Sequence, residues 1–336
     1  MNKPKIIKSY KEFISYRSVW MGLAIIWVMF FHFETFARQI FYKIFCVGYG
    51  GVDVFFFASG IGCYYSLTKN KNVLEFFKRR FLRIFPTYIP FIIIYMIMLA
   101  IFGTTLKISE IAGNILFFGS LFGYENQFNW YLCGLWIFYL LTPIAVSFTK
   151  KEREKKILLI ASFFAVLLLS FCFIGNRNLM VIVSRIPIAY LGILSASIYE
   201  DNDEIGTPTI IISIILSVIG LAIVYYNLAN HQDMIWTHGV IWYPFILIVP
   251  GVCYIASLIA RNCSPFSKVC SYVGKNSFTL YLIHIFLFTL VDLLCEYSQF
   301  CASYRRYLKF LVIGSSFAFV VFVDILKYIV KKYKKQ

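Results

Sequence analysis

Residues 84–103 read IFPTYIPFIIIYMIMLAIFG, an apolar block without one charged side chain. A helix over this block would be about 30 Å long, the thickness of a bilayer's hydrocarbon core. Just before it stand Lys78, Arg79, Arg80 and Arg83. A cationic collar leading into an uncharged span predicts a helix that enters a bilayer from its cytoplasmic side.

Blocks of the same kind recur on both sides. Helices are expected near 17–36, 47–66, 84–103, 129–148, 157–174, 179–199, 208–228, 239–260, 276–296 and 307–330. The expected fold class is an all-α polytopic membrane bundle of about ten transmembrane helices. Residues 108–122 are apolar but short, which predicts a re-entrant or interfacial segment, or an eleventh span. Composition agrees: 60% of the 336 residues are hydrophobic and 14% charged, against about 45–50% and 25% in soluble domains. The first block is too long for the apolar core of a signal peptide and lacks a small-residue cleavage site, so it reads as a retained signal anchor. Loops are short and no repeat or linker stands out, so residues 1–336 read as one integral-membrane domain without a separate soluble domain.

The net charge of +16 comes from 32 Lys and Arg against 16 Asp and Glu. These charges lie in short runs between apolar blocks and match no nucleic-acid-binding pattern, so they are read as topology signals and nucleic acid is not an expected partner. With the N-terminus inside, 23 Lys and Arg fall in inner segments and 7 in outer ones, which predicts cytoplasmic N- and C-termini. The loop 200–207, acidic and without Lys or Arg, is the exception. Nine cysteines are scattered, with no C-x-x-C and no Cys/His spacing suited to a metal, so no metal site is expected. They read as small buried hydrophobes; Cys295 and Cys301 flank an outer loop, where pairing is open.

Titratable side chains inside spanning helices are costly and raise a functional question each. His32 falls in the outer half of the first helix and Asp53 near the outer end of the second, at similar depth. Arg185 falls in the outer part of the sixth, and His284 in the inner half of the ninth. Each has a bland alternative as an interhelical hydrogen-bond or ion partner. Asp292, at the outer end of the ninth, is expected to be solvated. The stretch Gly50-Gly51-Val52-Asp53-Val54-Phe55-Phe56-Phe57-Ala58-Ser59-Gly60 adds glycines suited to close helix approach and puts Ser59 on the helix of Asp53. Arg79 and Arg83 share a helical face, and guanidinium forks suit phosphates, with anionic lipid headgroups as the competing ligand.

Taken together, these segments resemble the acyltransferase 3 family of bacterial multi-pass membrane O-acyltransferases. The resemblance runs in order through Gly22 to His32, Gly51-Val52-Asp53 to Ser59-Gly60, and Arg79-Arg80-Phe81-Leu82-Arg83-Ile84-Phe85-Pro86. It continues through Asn129-Trp130-Tyr131-Leu132 to Tyr139 and Pro143, Arg185-Ile186-Pro187 to Gly192, and Gly274-Lys275-Asn276-Ser277 to Tyr281-Leu282-Ile283-His284. It implies transfer of an acyl group, acetyl as the expected case, from cytoplasmic acyl-CoA to a hydroxyl of a cell-surface or lipid-linked glycan (an EC 2.3.1 type reaction). Acyl-CoA is then a co-substrate, with no permanently bound cofactor.

The resemblance makes His32 the catalytic residue, and an imidazole that titrates near neutral pH suits removal of a hydroxyl proton. Asp53 is expected to orient it, by the logic of a triad. Arg79, Arg80 and Arg83 are expected to hold the phosphates of CoA, with Ser59, Trp130, Arg185 and His284 as further candidates. Expected partners are the bilayer, the donor, the glycan acceptor and enzymes of surface-polysaccharide synthesis, and the expected location is the bacterial inner membrane. Two positions depart from the pattern: Met21 stands where many members carry Arg, and Leu135-Trp136 where some carry Glu. Arg17 lies one turn before Met21, about 22 Å from His32 along the helix. The competing readings are a glycan transporter or flippase without covalent chemistry, and a family member that only binds acyl-CoA.

Overall fold

The computed structural model describes residues 6–33, 45–128, 130–147 and 152–333, with side chains of 152–156 and 159 left aside. The described residues form helices joined by short connections, with no strand beyond a single bridge between Ser9 and Glu204. The principal helices are α1 (Arg17–Phe33), α2 (Gly51–Lys69), α3 (Val73–Ile101), α4 (Trp130–Ser147) and α5 (Glu152–Phe171). They continue as α6 (Ile186–Ile198), α7 (Thr207–Asn230), α8 (Phe245–Asn262), α9 (Ser277–Tyr297) and α10 (Arg305–Tyr333).

Every block expected to be helical coincides with one of these, but only seven described helices are long and apolar enough to cross a membrane. These are α3, α4, the stretch Arg177–Ile198 that ends in α6, and α7 to α10. Helix α1 and the apolar part of α5, Ile160–Phe171, are shorter. Helix α2 owes its weaker apolarity to Asp53, Ser59 and Lys69, and most of it is buried against other helices, so it needs no lipid-compatible surface. By contrast, Ile93, Ile94 and Ile97 of α3 and Ile211, Ile212 and Ile215 of α7 point outward, as a bilayer solvent favours.

Three local departures from the expected pattern matter for the site. Helix α3 begins at Val73, capped by the Asn72 side chain on the Glu75 N–H, so the whole basic run is helical. The sixth span is broken: Arg177–Val183 is one helix, Ser184 and Arg185 form the joint, and α6 restarts with Pro187 in its first turn, where a missing N–H costs nothing. A further amphipathic helix, Ser264–Lys275, fills what reads as a basic loop and packs on α1. The 108–122 segment does not cross: its helix, Ile108–Ile115, is about 12 Å long and then turns back, pinned by buried Asn114. Asn114 donates to the carbonyls of Glu110 and Asn126 and accepts from the Phe128 N–H.

Glycines set the closest helix crossings. A Cβ on Gly60 would sit 2.0 Å from the Ala189 carbonyl oxygen of α6, and one on Gly192 would sit 2.3 Å from that of Phe57 in α2. Both contacts are with backbone, which cannot swing aside. Gly192→Val is therefore expected to cost at least the ~1–3 kcal/mol of overpacking, whereas Gly314→Ala, with open space around it, should be neutral. Thermal unfolding of the detergent-solubilised variants checks this, and equal midpoints for the two would contradict it.

The acidic 200–207 loop is accounted for by the N-terminal segment. Ser9 donates to the Asp203 carboxylate at 2.6 Å, the Lys11 N–H reaches the other oxygen at 2.7 Å, and the Ile205 N–H donates to the Lys8 carbonyl. The Ser9 hydroxyl above all holds Asp203 below the usual carboxylate range, so this tie persists at neutral pH and is lost only as pH falls through that lowered value. At the opposite end, Asp292 is not simply solvated: it pairs with Arg305 at 2.6 Å and Lys309 at 3.5 Å, joining α9 to α10. Among the described residues, Cys295 and Cys301 are not joined in a disulfide.

Candidate active site

A cavity of about 680 Å³ lies among α1, α2, α3, α4 and the start of α9. Helix α1 lines it from Arg17 through Met21 to Val28, a path of about 16 Å along the helix axis. Helix α2 contributes Val52, Phe55 and Ser59, and α3 contributes Arg83. Helix α4 adds Tyr131, Leu132, Leu135 and Tyr139, while Tyr281 closes the α9 side. Polarity is graded along it: cations stand at the Arg17 end, and Val28, Val52 and Phe55 make the other end apolar.

His32 lies one turn beyond Val28 on the same helical face. The cavity as lined thus stops a turn short of the imidazole. What fills that step is aromatic. The Tyr281 ring, on the cavity wall, is 6.0 Å from the ring of His284, and His284 is 5.4 Å from His32, centroid to centroid. Depth counted along each helix sets the two histidines apart, but the bundle brings them into contact. His284 is fully buried, its Nδ1 2.6 Å from the Leu280 carbonyl oxygen. A carbonyl only accepts, so Nδ1 carries a proton and donates this bond, and the second ring nitrogen is Nε2. That Nε2 has no hydrogen-bond partner among the described residues, and the ring rests against half-buried His32.

The contact that the structure gives Asp53 is with Arg185 rather than with His32. The Asp53 Oδ1 faces the Arg185 Nε at 3.8 Å, with both side chains 1% exposed. Arg185 sits at the joint preceding α6, so the broken span is what brings a guanidinium to the first turn of α2. Its guanidinium lies over Trp242 at 4.3 Å and over Trp130 at 5.3 Å, and it donates to the Ser184 hydroxyl at 2.9 Å. Among the described residues Asp53 Oδ2 has no partner. This is a desolvated ion pair boxed by two indoles, a position that Trp130 and Arg185 share with Asp53 rather than with the cavity.

The three arginines of the basic run part company. Arg83 lines the cavity. Arg80 is tied into the packing: it donates to the Gly62 carbonyl at 3.2 Å and stacks over Phe76 and Tyr139. Arg79 is exposed and reaches the Ser66 hydroxyl at 3.3 Å. Arg17, the substitute considered for the arginine absent at position 21, lines the same cavity as Arg83 and Ser59. Trp242 is a site neighbour that sequence reading misses, since nothing in the segment 231–244 ties that indole to Arg185. Asn129 lies outside the described residues.

A family model of an acyltransferase domain matches residues 20–327. Among curated proteins, the chain is similar to the O-acetyltransferase OatA of Staphylococcus aureus strains NCTC 8325 and COL, 28% identical over 280 residues. The alignment covers 70% of this chain and 45% of each relative, so the chain spans about half the length of the curated relatives it matches. No solved structure matches it. Ordered motifs, an apolar helical bundle that marks a multi-pass membrane protein, and a domain match over nearly the whole chain agree: the protein belongs to the acyltransferase 3 family.

Proposed function

We propose that this protein is a membrane O-acyltransferase that moves an acetyl group from cytoplasmic acetyl-CoA to a hydroxyl of a cell-surface or lipid-linked glycan. The observation that carries the reading is the graded cavity, cationic at Arg17 and Arg83, apolar at Val28 and Val52, and ending one turn from His32. A thioester whose nucleotide end is phosphorylated and whose acyl end is nearly neutral fits such a gradient.

In the proposed step the acceptor hydroxyl oxygen attacks the thioester carbonyl while His32 takes its proton. The carbon–sulfur bond then breaks, and the departing thiolate takes that proton from the imidazolium. The products are an ester and CoA. His284 packs on His32 and limits how its ring turns, and Arg17 supplies, a turn earlier, the guanidinium that Met21 does not. The setting is the bacterial inner membrane, with the basic end of the bundle toward the cytoplasm.

Membranes containing the protein, given acetyl-CoA labelled in its acetyl group, should transfer label to an alkali-labile ester on glycan. Label that stays on CoA while the glycan crosses the membrane would favour a transporter instead.

A further inference from the structure

The basic end of the cavity receives cations from four separate elements: Arg17 of α1, Arg83 of α3, Lys275 at the end of the Ser264–Lys275 helix, and Lys327 of α10. No Asp or Glu is among the described residues that line the cavity. Among the described residues, Arg17, Arg83 and Lys275 have no carboxylate partner, and only Lys327 has one, Asp324 at 3.5 Å. Asp324 is itself engaged, accepting from Tyr272 and Asn276. Topology-setting lysines spread over a bundle's rim toward lipid headgroups. Here four cations line one concavity without matching negative charge, beside the neutral donors Ser18 and Asn276. Such an arrangement repels itself until an anion with several charges fills it.

We propose that Lys275 and Lys327, with Arg17 and Arg83, form the site for the phosphates of the donor's nucleotide, so that the enzyme takes CoA thioesters by their 3′-phosphate and diphosphate. This rests on the acyl-CoA reading above and adds two residues that belong to none of the arginine motifs. It also explains the close packing of the Ser264–Lys275 helix on α1, where a Cβ on Gly274 would meet the Ser18 carbonyl oxygen at 1.8 Å. That packing places Lys275 on the wall of the cavity that Arg17 also lines. The shared chemistry is clustered phosphate, which an anionic lipid also offers.

The test is binding of CoA, dephospho-CoA and pantetheine to the full-length protein in nanodiscs of zwitterionic lipid, repeated with phosphatidylglycerol present. Lys275→Gln and Lys327→Gln should each weaken CoA binding about tenfold, the loss of one charge-assisted hydrogen bond. The double variant should no longer prefer CoA to dephospho-CoA, pantetheine binding should be unchanged, and Lys275→Arg should restore affinity. Lys78→Gln, an exposed lysine outside the cavity paired with Glu75, should bind CoA like the wild type, which separates site loss from lowered net charge. If both glutamine variants bind CoA normally, the site is refuted while acyl-CoA dependence stands. The site is equally refuted if they alter only retention of phosphatidylglycerol. If the wild-type protein binds no CoA and transfers no acetyl group from it, the donor reading and this site fall together.

Discussion

His32→Ala is expected to reduce acyl transfer by about 10²–10⁴-fold, the usual contribution of a positioned general base, while the protein still folds. The imidazole is half-buried at the end of α1, so its removal opens a small space rather than breaking a hydrogen-bond network. Size-exclusion behaviour and thermal midpoint should stay near wild type while the transfer rate collapses. The neighbouring His284 allows a sharper form of the experiment. His284→Ala removes a ring that packs on His32 but is held by the Leu280 carbonyl. It should therefore slow transfer less than His32→Ala does, and the double variant should be no slower than His32→Ala alone. Equal losses from either single change would mean that the two rings act as one unit, and undiminished transfer by His32→Ala would remove it from the mechanism.

The second large effect is on stability. Asp53→Asn leaves the Arg185 guanidinium buried without its counter-charge, and breaking a buried pair from one side costs about 3–5 kcal/mol. The variant should fold poorly or melt far below wild type. Replacing both partners, Asp53→Leu with Arg185→Met, should recover much of that stability, because apolar groups need no counter-charge and the two indoles around Arg185 accept a thioether. A role for Asp53 in orienting His32 predicts the reverse: a slow enzyme of normal stability, unaffected by changes at Arg185. Thermal denaturation of the wild type, Asp53→Asn and the double replacement, with transfer rates beside it, separates the two.

What can be read from the sequence is local. The uncharged runs place the helices, and the order of short motifs places the family, because both depend on neighbours along one chain. Partnerships between helices are harder. Nothing in the spacing of Asp53 and Arg185 shows that a break at Ser184 brings them together, and the similar depths of Asp53 and His32 suggest a pairing, whereas the contact seen for Asp53 is with Arg185. Helical periodicity puts Arg79 and Arg83 on one face, but Arg79 lies a turn farther out along α3 and ends on Ser66, so only Arg83 reaches the cavity. Arg80, between them, is drawn inward by Phe76 and Tyr139. The Ser264–Lys275 helix resembles a loop in sequence because its polar face carries the charges that mark an inner connection. The span count suffers from the same limit: α2 faces protein, so apolarity measured against lipid says little about it.

The mechanism depends most on a thioester arriving at the basic end of the bundle and meeting a hydroxyl near His32. Sealed proteoliposomes of uniform orientation, with a glycan acceptor on both sides and labelled acetyl-CoA on one, test this directly. Ester label should form when acetyl-CoA is on the side of Arg17 and Arg83, and not when it is supplied only to the other. Transfer from the opposite side, or equally from both, would contradict it.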